Sequence, residues 1–273
     1  MGHSAQHLGL DTSSRSGIQW CPLRLDCCYT RRKVIQTRDI KMAASNYDSF
    51  AKEYAMENES SLLNAYYERP AMLELAADVA GREILDIGCG AGPLAGELIS
   101  RGALVTGFDA SVEMLELARE RLGGSVDLRV ARLGEPLPYE EDSFDDAVSS
   151  LVFHYLPDWS FALEEVRRVL KPKGRLILSV NHPILYPWNH KGSDYFRVTE
   201  YCDEVTLNGH AAELTYWHHP LHVMVSSMID AGYSIERIWE PPYSKDAPQE
   251  IVPDSLRERE AFLSFIFFVL RAN

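Results

Sequence analysis

The stretch Glu83-Ile-Leu-Asp-Ile-Gly-Cys-Gly-Ala-Gly92 joins a short apolar run to three glycines at alternate positions, with Pro93 next. Five residues bounded by Gly81 and Gly88 read as a strand, and Pro93 suits the first turn of a helix, where a missing N–H costs nothing. Glycines between them let the backbone turn tightly and come close to a ligand. A nucleotide-like group can then lie against the sheet edge where the strand order reverses. The dinucleotide fingerprint G-x-G-x-x-G would need glycine at 93, where this chain has proline, which disfavours a nicotinamide dinucleotide. A second acid, Asp109, ends the next apolar run seventeen residues after Gly92. A carboxylate there can accept from both hydroxyls of a ribose.

Outward from this loop, strands and helices alternate. Strands are expected at Ala103–Phe108, Val126–Ala131, Phe144–Ser150 and Arg175–Val180. Helices are expected from Pro93 to about Arg101, from Ser111 (as cap) to Leu122, and from Ser160 to Leu170, stopped by Pro172 and Gly174. A helical pattern from Ser60 to Ala80 carries Pro70 as a bend or a start. Helix 221–231 and strands near 233–239 and 262–270 close the chain, the last pair suggesting one antiparallel strand. Such alternation demands parallel crossovers, hence an α/β sheet covered on both faces. Residues 183–220 break the rhythm. They hold Tyr186, Trp188, Tyr195, Phe196, Tyr201, Tyr216 and Trp217 without a steady period, and read as a substrate lid or a small satellite core.

Charge divides the chain. Its 273 residues carry 27 Lys and Arg against 40 Asp and Glu, a net of −13. Residues 1–45 hold seven basic side chains and three acidic ones, which leaves −17 for the remainder. An acidic surface repels phosphate backbones, so a nucleic-acid partner is not expected. No run reaches the 18 or so apolar residues of a membrane span. The basic segment 1–45 reads as a disordered extension or an upstream start before Met42. Its Arg and Ser bias leaves a transit peptide open, but it lacks the pattern of a secretory signal. Five cysteines without C-x-x-C suggest neither a disulfide framework nor a zinc site, and fit a cytoplasmic protein.

The chain resembles the class I S-adenosylmethionine-dependent methyltransferases, closest to the small-molecule group that includes quinone-biosynthesis and natural-product enzymes. The likeness rests on Ile84 to Gly92, on Gly107-Phe-Asp-Ala-Ser111 with Met114, on Pro136-Leu-Pro-Tyr139, on Ser143-Phe-Asp145 and on Glu165-Val-Arg-Arg-Val-Leu-Lys-Pro172. It implies a Rossmann-like seven-stranded sheet of order 3-2-1-4-5-7-6, strand 7 antiparallel, with helices on both faces, in one domain spanning 46–273. It also implies S-adenosylmethionine as cofactor and S-adenosylhomocysteine as product. Gly88, Cys89 and Gly90 would lie under the methionine part, with Asp86 near its ammonium. Asp109 would hold the ribose, and Ala110 and Met114 would flank the adenine. Ser149 or Ser150 would offer a carbonyl, and Tyr47, in Tyr47-Asp-Ser-Phe-Ala-Lys-Glu-Tyr54, would fold over the cofactor. Arg132, before Leu133, departs from the family's frequent aspartate and cannot accept from the adenine amino group. Lys173 stands where glycine is frequent.

Methyl transfer from a sulfonium needs a positioned nucleophile and, where that nucleophile carries a proton, a base. His154 and His182 follow strands four and five and are the candidate bases, each weighed against a structural role. Tyr155, Tyr186, Trp188, Trp217 and His219 are candidates for orienting the acceptor. Pro220 and the lack of a nearby acid argue against a metal at His218, His219 and His222. The expected function is methyl transfer to O, N or C of a small molecule, with a homodimer allowed. The alternatives are an RNA or protein methyltransferase, and a cofactor-binding protein with cyclase activity or none.

Overall fold

The computed structural model describes residues 51–207, 210–259 and 261–273. Tyr47 and the basic segment 1–45 lie outside them. The chain enters through α1 (Ala51–Ser60), a π-helical turn (Asn64–Glu68) and α2 (Arg69–Ala76). Pro70 cannot donate to the carbonyl of Tyr66, and that oxygen instead accepts Ser244 N–H at 2.5 Å. Of the bend or helix start expected at Pro70, the structure has the start: Pro70 lies in the first turn of α2, just after the irregular turn.

Strand β1 (Glu83–Ile87), α3 (Pro93–Ser100), β2 (Leu104–Asp109), α4 (Val112–Leu122), β3 (Asp127–Val130) and β4 (Phe144–Ser150) follow in the expected alternation. Ser111 caps α4, its hydroxyl accepting Met114 N–H at 3.1 Å. Beyond a 3-10 turn (Phe153–Tyr155) come α5 (Ser160–Val169) and β5 (Leu170–Asn181), then a short α6 (Leu185–Asn189). Two strands, β6 (Thr199–Leu207) and β7 (His210–His218), precede α7 (Leu221–Asp230), β8 (Tyr233–Trp239) and β9 (Phe265–Ala272).

The main sheet runs β3-β2-β1-β4-β5-β9-β8, with β9 antiparallel to both neighbours. That is the expected order once β6 and β7 are set aside as an inserted antiparallel pair. Burial alternates along each central strand. Leu85, Ile87, Ala147, Leu176 and Leu178 pack toward α5 and α7, while Ile84, Val148, Ile177 and Phe267 pack toward α2 and α3. Covering both faces explains the near-continuous apolar runs, each fully buried Leu or Ile contributing about 1.5–3 kcal/mol.

The insertion departs from the irregular lid read in the sequence. It holds a hairpin of two nine-residue strands, whose Val205, Leu214 and Tyr216 pack on Tyr54 of α1 and on Tyr155.

Candidate active site

Parallel strands leave their carboxyl ends together, and the loops there enclose two adjoining cavities. The first, of about 660 Å³, is bounded by Gly88 and Gly90 after β1, by Asp109 and Ala110 after β2, and by Met114 of α4. Arg132, Leu133 and Ser150 complete its rim, and Tyr54 and Trp217 stand over it. Gly88 has φ +64° and a β-carbon there would sit 2.6 Å from Val152 Cγ2, so no side chain fits. Gly90, at φ +53°, faces open space and leaves its backbone bare to a ligand. Asp109 ties this loop to β2, accepting Gly90 N–H at 2.9 Å and Ser111 N–H at 2.8 Å.

Beneath the loop lies buried acid. Asp86 is 1% exposed, and its Oδ2 has no hydrogen-bond partner among the described residues. Burial first, then the nearby charges of Asp109 and Glu68, push its carboxyl up to about 8. Glu68 is also buried and pushed up, chiefly by desolvation, although Ser179 Oγ–H donates to it at 2.6 Å.

The second cavity, of about 430 Å³, shares Tyr54, Leu151 and Tyr155 with the first. Leu151 is held at φ +59°, a strained conformation for a leucine, by Ser179, whose carbonyl and hydroxyl oxygens both accept its N–H at 3.1 Å. Tyr186, Tyr201 and Tyr216 form an aromatic wall, with His154, His190 and Asp203 also facing the space. Leu62, Ile251, Leu256 and Phe262 make its opposite side apolar.

A methyltransferase-domain family model matches residues 85–178. The ubiquinone/menaquinone biosynthesis C-methyltransferase of Geotalea daltonii is 32% identical over 161 residues, 55% of this chain and 68% of that protein. The chain belongs to the class I S-adenosylmethionine-dependent methyltransferases. An uncharacterised Haemophilus influenzae protein matches this methyltransferase at 28% identity over 228 residues, covering 77% of the chain and 89% of the relative. The crystal structure of an S-adenosylmethionine dependent methyltransferase from Mesorhizobium loti superposes with a TM-score of 0.57 at 25% identity, over 74% of this chain and 96% of that one.

The methyltransferase's cofactor fits the first cavity. The unpartnered Asp86 oxygen suits an ammonium, the bare Gly90 backbone suits close approach, and Asp109 retains acceptor capacity for hydroxyls. Of the residues expected around the cofactor, Gly88, Gly90, Asp109, Ala110, Met114, Arg132, Leu133 and Ser150 line it. Three expected residues do not: the first, Asp86, lies buried beneath the glycine loop. Cys89 turns its thiol toward Gly107 and Leu128, and Ser149 is fully buried within β4. Arg132 is half-exposed on the rim, 3.9 Å from Glu135.

The acceptor-side expectations need more correction. His154 and Tyr186 line the second cavity and Tyr155 lines both. His154 Nδ1 accepts Asn181 N–H at 3.2 Å, and burial drives its pKa down to about 3. The neutral ring therefore carries its proton on Nε2 and has no lone pair left for a base. His182 lines neither cavity: Nε2–H donates to Glu240 at 2.7 Å and Nδ1 accepts Ile184 N–H at 3.2 Å. Trp188 is 52% exposed and lines neither cavity. His219 is buried behind Trp217, donating to the Pro157 carbonyl at 3.2 Å and packing on Trp159. Trp217 itself stands over the cofactor cavity.

Sequence reading passed over Glu68, Leu151, His190 and Asp203. A usable signal existed for Asp203. Tyr201, Asp203 and Val205 alternate with polar neighbours, Leu214 and Tyr216 do the same, and Asn208-Gly209 between them favours a tight hairpin turn.

Proposed function

We propose that this methyltransferase acts on a small, neutral hydroxyarene with an apolar substituent, of the kind a quinol represents. The observation that carries this is the second cavity. Among the described residues no Lys or Arg lines it, so a carboxylate or phosphate would find no cation. Its tyrosine wall suits an aromatic ring, and its apolar side suits a hydrocarbon substituent. The Geotalea relative's name gives the same direction. A cavity walled in by α1, the hairpin and the 251–265 segment also argues against an RNA strand or a folded protein as acceptor.

When bound, the cofactor supplies an electrophilic sulfonium methyl whose carbon–sulfur electron pair stays on sulfur. In this reading Asp86, Gly88, Gly90 and Asp109 hold it, while Tyr54, Leu151 and Tyr155 frame the passage between the cavities. His154 offers Nε2–H to orient the acceptor, not to deprotonate it. Arg132 leaves adenine recognition to the apolar Met114 and Leu133 and to backbone groups.

The test is anaerobic incubation of the full chain with methyl-labelled S-adenosylmethionine and a panel of 1,4-naphthohydroquinone, catechol, glycine and a short RNA. Mass detection of a methylated arene is the expected result. Methylation of glycine or RNA alone would replace this reading. Cofactor binding without methyl transfer to any of them would favour the non-transfer alternative.

A further inference from the structure

The histidines near the acceptor cavity are each engaged through a ring nitrogen in a hydrogen bond, except His190. His154 Nδ1 is occupied by Asn181 N–H, and His218 Nε2–H donates to the Tyr195 carbonyl at 2.8 Å. His182 and His219 face elsewhere. His190, at the end of α6, places Nε2 3.2 Å from Asp203 Oδ1 of β6, an ion-pair distance although out of line for a hydrogen bond. Nε2 is buried, and neither it nor Nδ1 makes a hydrogen bond among the described residues. Both side chains face the cavity and are mostly withdrawn from solvent, at 22% and 11% exposure.

The imidazole is also fixed in orientation. Tyr186 packs against it with centroids 5.0 Å apart and Tyr201 meets it edge-on at 5.3 Å. The other ionisable groups on the cavity are Tyr54 and Glu57 of α1, His154 and Tyr155 after β4, and Tyr216 of β7. None is a cation that would oppose protonation of His190.

We propose that His190, oriented by Asp203, takes the proton from the acceptor's hydroxyl. This rests on the hydroxyarene reading above. The O–H bond breaks, the proton moves to Nδ1, and the bonding pair stays on the acceptor oxygen. The imidazolium charge then lies 3.2 Å from the Asp203 carboxylate, and the proton passes to solvent once the product has left. A carboxylate beside one ring nitrogen leaves the other as a base and stabilises the charged ring, an arrangement suited to proton abstraction. The inserted lid thus supplies both members of the pair, one from its helix and one from its hairpin.

The probe is 4-nitrophenol, whose anion absorbs visible light. It is titrated against the full chain saturated with S-adenosylhomocysteine, and the ionisation midpoint of the bound probe is read as a function of pH. In the native protein the midpoint is expected to fall by about one pH unit relative to free probe. In His190→Gln the bound probe is expected to ionise as it does in water. Asp203→Asn should raise the midpoint part of the way back. Unchanged lowering in His190→Gln, or a bound but unshifted probe in the native protein, overturns the dyad and leaves the acceptor reading standing. No binding to the native protein overturns the acceptor reading, and the dyad with it. Calorimetry of S-adenosylhomocysteine checks that each variant is folded. If His190→Gln does not fold, Asp203→Asn decides: a midpoint equal to the native one overturns the proposal.

Discussion

Asp109 carries two tasks on one carboxylate. It fixes the glycine loop through Gly90 N–H and Ser111 N–H, and it faces the cavity in which the ribose is proposed to lie. Asp109→Ala should weaken S-adenosylmethionine binding by about 1–3 kcal/mol, measured by calorimetry. Affinity within experimental error of the native value would remove Asp109 from the cofactor site. Asp86 makes a different prediction, because its effect appears without any ligand. Its folded carboxyl is pushed up to about 8, while the unfolded chain titrates near 3.8. Between these pH values the folded state binds the extra proton, so stability falls as pH rises through the window and is untouched below it. Asp86→Asn removes this contribution. Its melting temperature should decline less steeply than the native one between pH 5 and 8, with Glu68 accounting for a remaining slope of the same sign. Parallel melting curves across that range would refute the assignment.

At the scale of elements, the irregular start of β5, where its register with β4 shifts, stores strain that one substitution can release. Lys173 is exposed with φ +65°, and Gly174 follows where a β-carbon would come within 2.8 Å of the Lys171 carbonyl. The left-handed conformation costs a side-chain-bearing residue about 1–2 kcal/mol. Lys173→Gly should raise stability by about 0.5–1 kcal/mol, part of the relief being offset by a freer unfolded chain. The carbonyl that accepts from Arg271 is backbone and remains. Chemical denaturation measures the change, and a loss of stability would show that the turn is not strained.

The same scale explains what was legible in the sequence. The main sheet was, because buried parallel strands separated by capped helices leave local marks: Ser111 before α4, Pro93 opening α3, Gly88 closing β1. The hairpin was not. Its inward residues include Tyr201, Asp203 and His218, whose polar atoms mask the alternation. The proposed acceptor site was hidden for a related reason. His190 and Asp203 lie thirteen residues apart on unlike elements, and only the fold of the lid brings them together. His154 lines the second cavity, but which of its nitrogens is occupied depends on Asn181 of a neighbouring strand.

Across the whole molecule, the two ends of the sheet do separate work. The carboxyl ends diverge into cavities, whereas the amino ends of β1, β4 and β5 are clamped by charge. Asp146, 1% exposed in β4, accepts paired bonds from Arg175 at 2.8 and 2.7 Å and from Arg82, which precedes β1. Arg175 also reaches the Ala76 carbonyl at the end of α2, and Arg82 the Asp145 carbonyl. One carboxylate thus joins three strands and a helix of the opposite layer. Removing it leaves two guanidinium groups without their shared acceptor, a type of loss that costs about 3–5 kcal/mol. For a domain of this size Asp146→Ala should lower the melting temperature by roughly 10 °C. Because the cluster sits a full strand length from the glycine loop, the folded fraction should bind S-adenosylmethionine with native affinity. Calorimetry well below the new transition separates the two effects. A matching loss of affinity would mean that the clamp sets the geometry of the cofactor loop through β1, and that the two ends of the sheet are coupled, not independent.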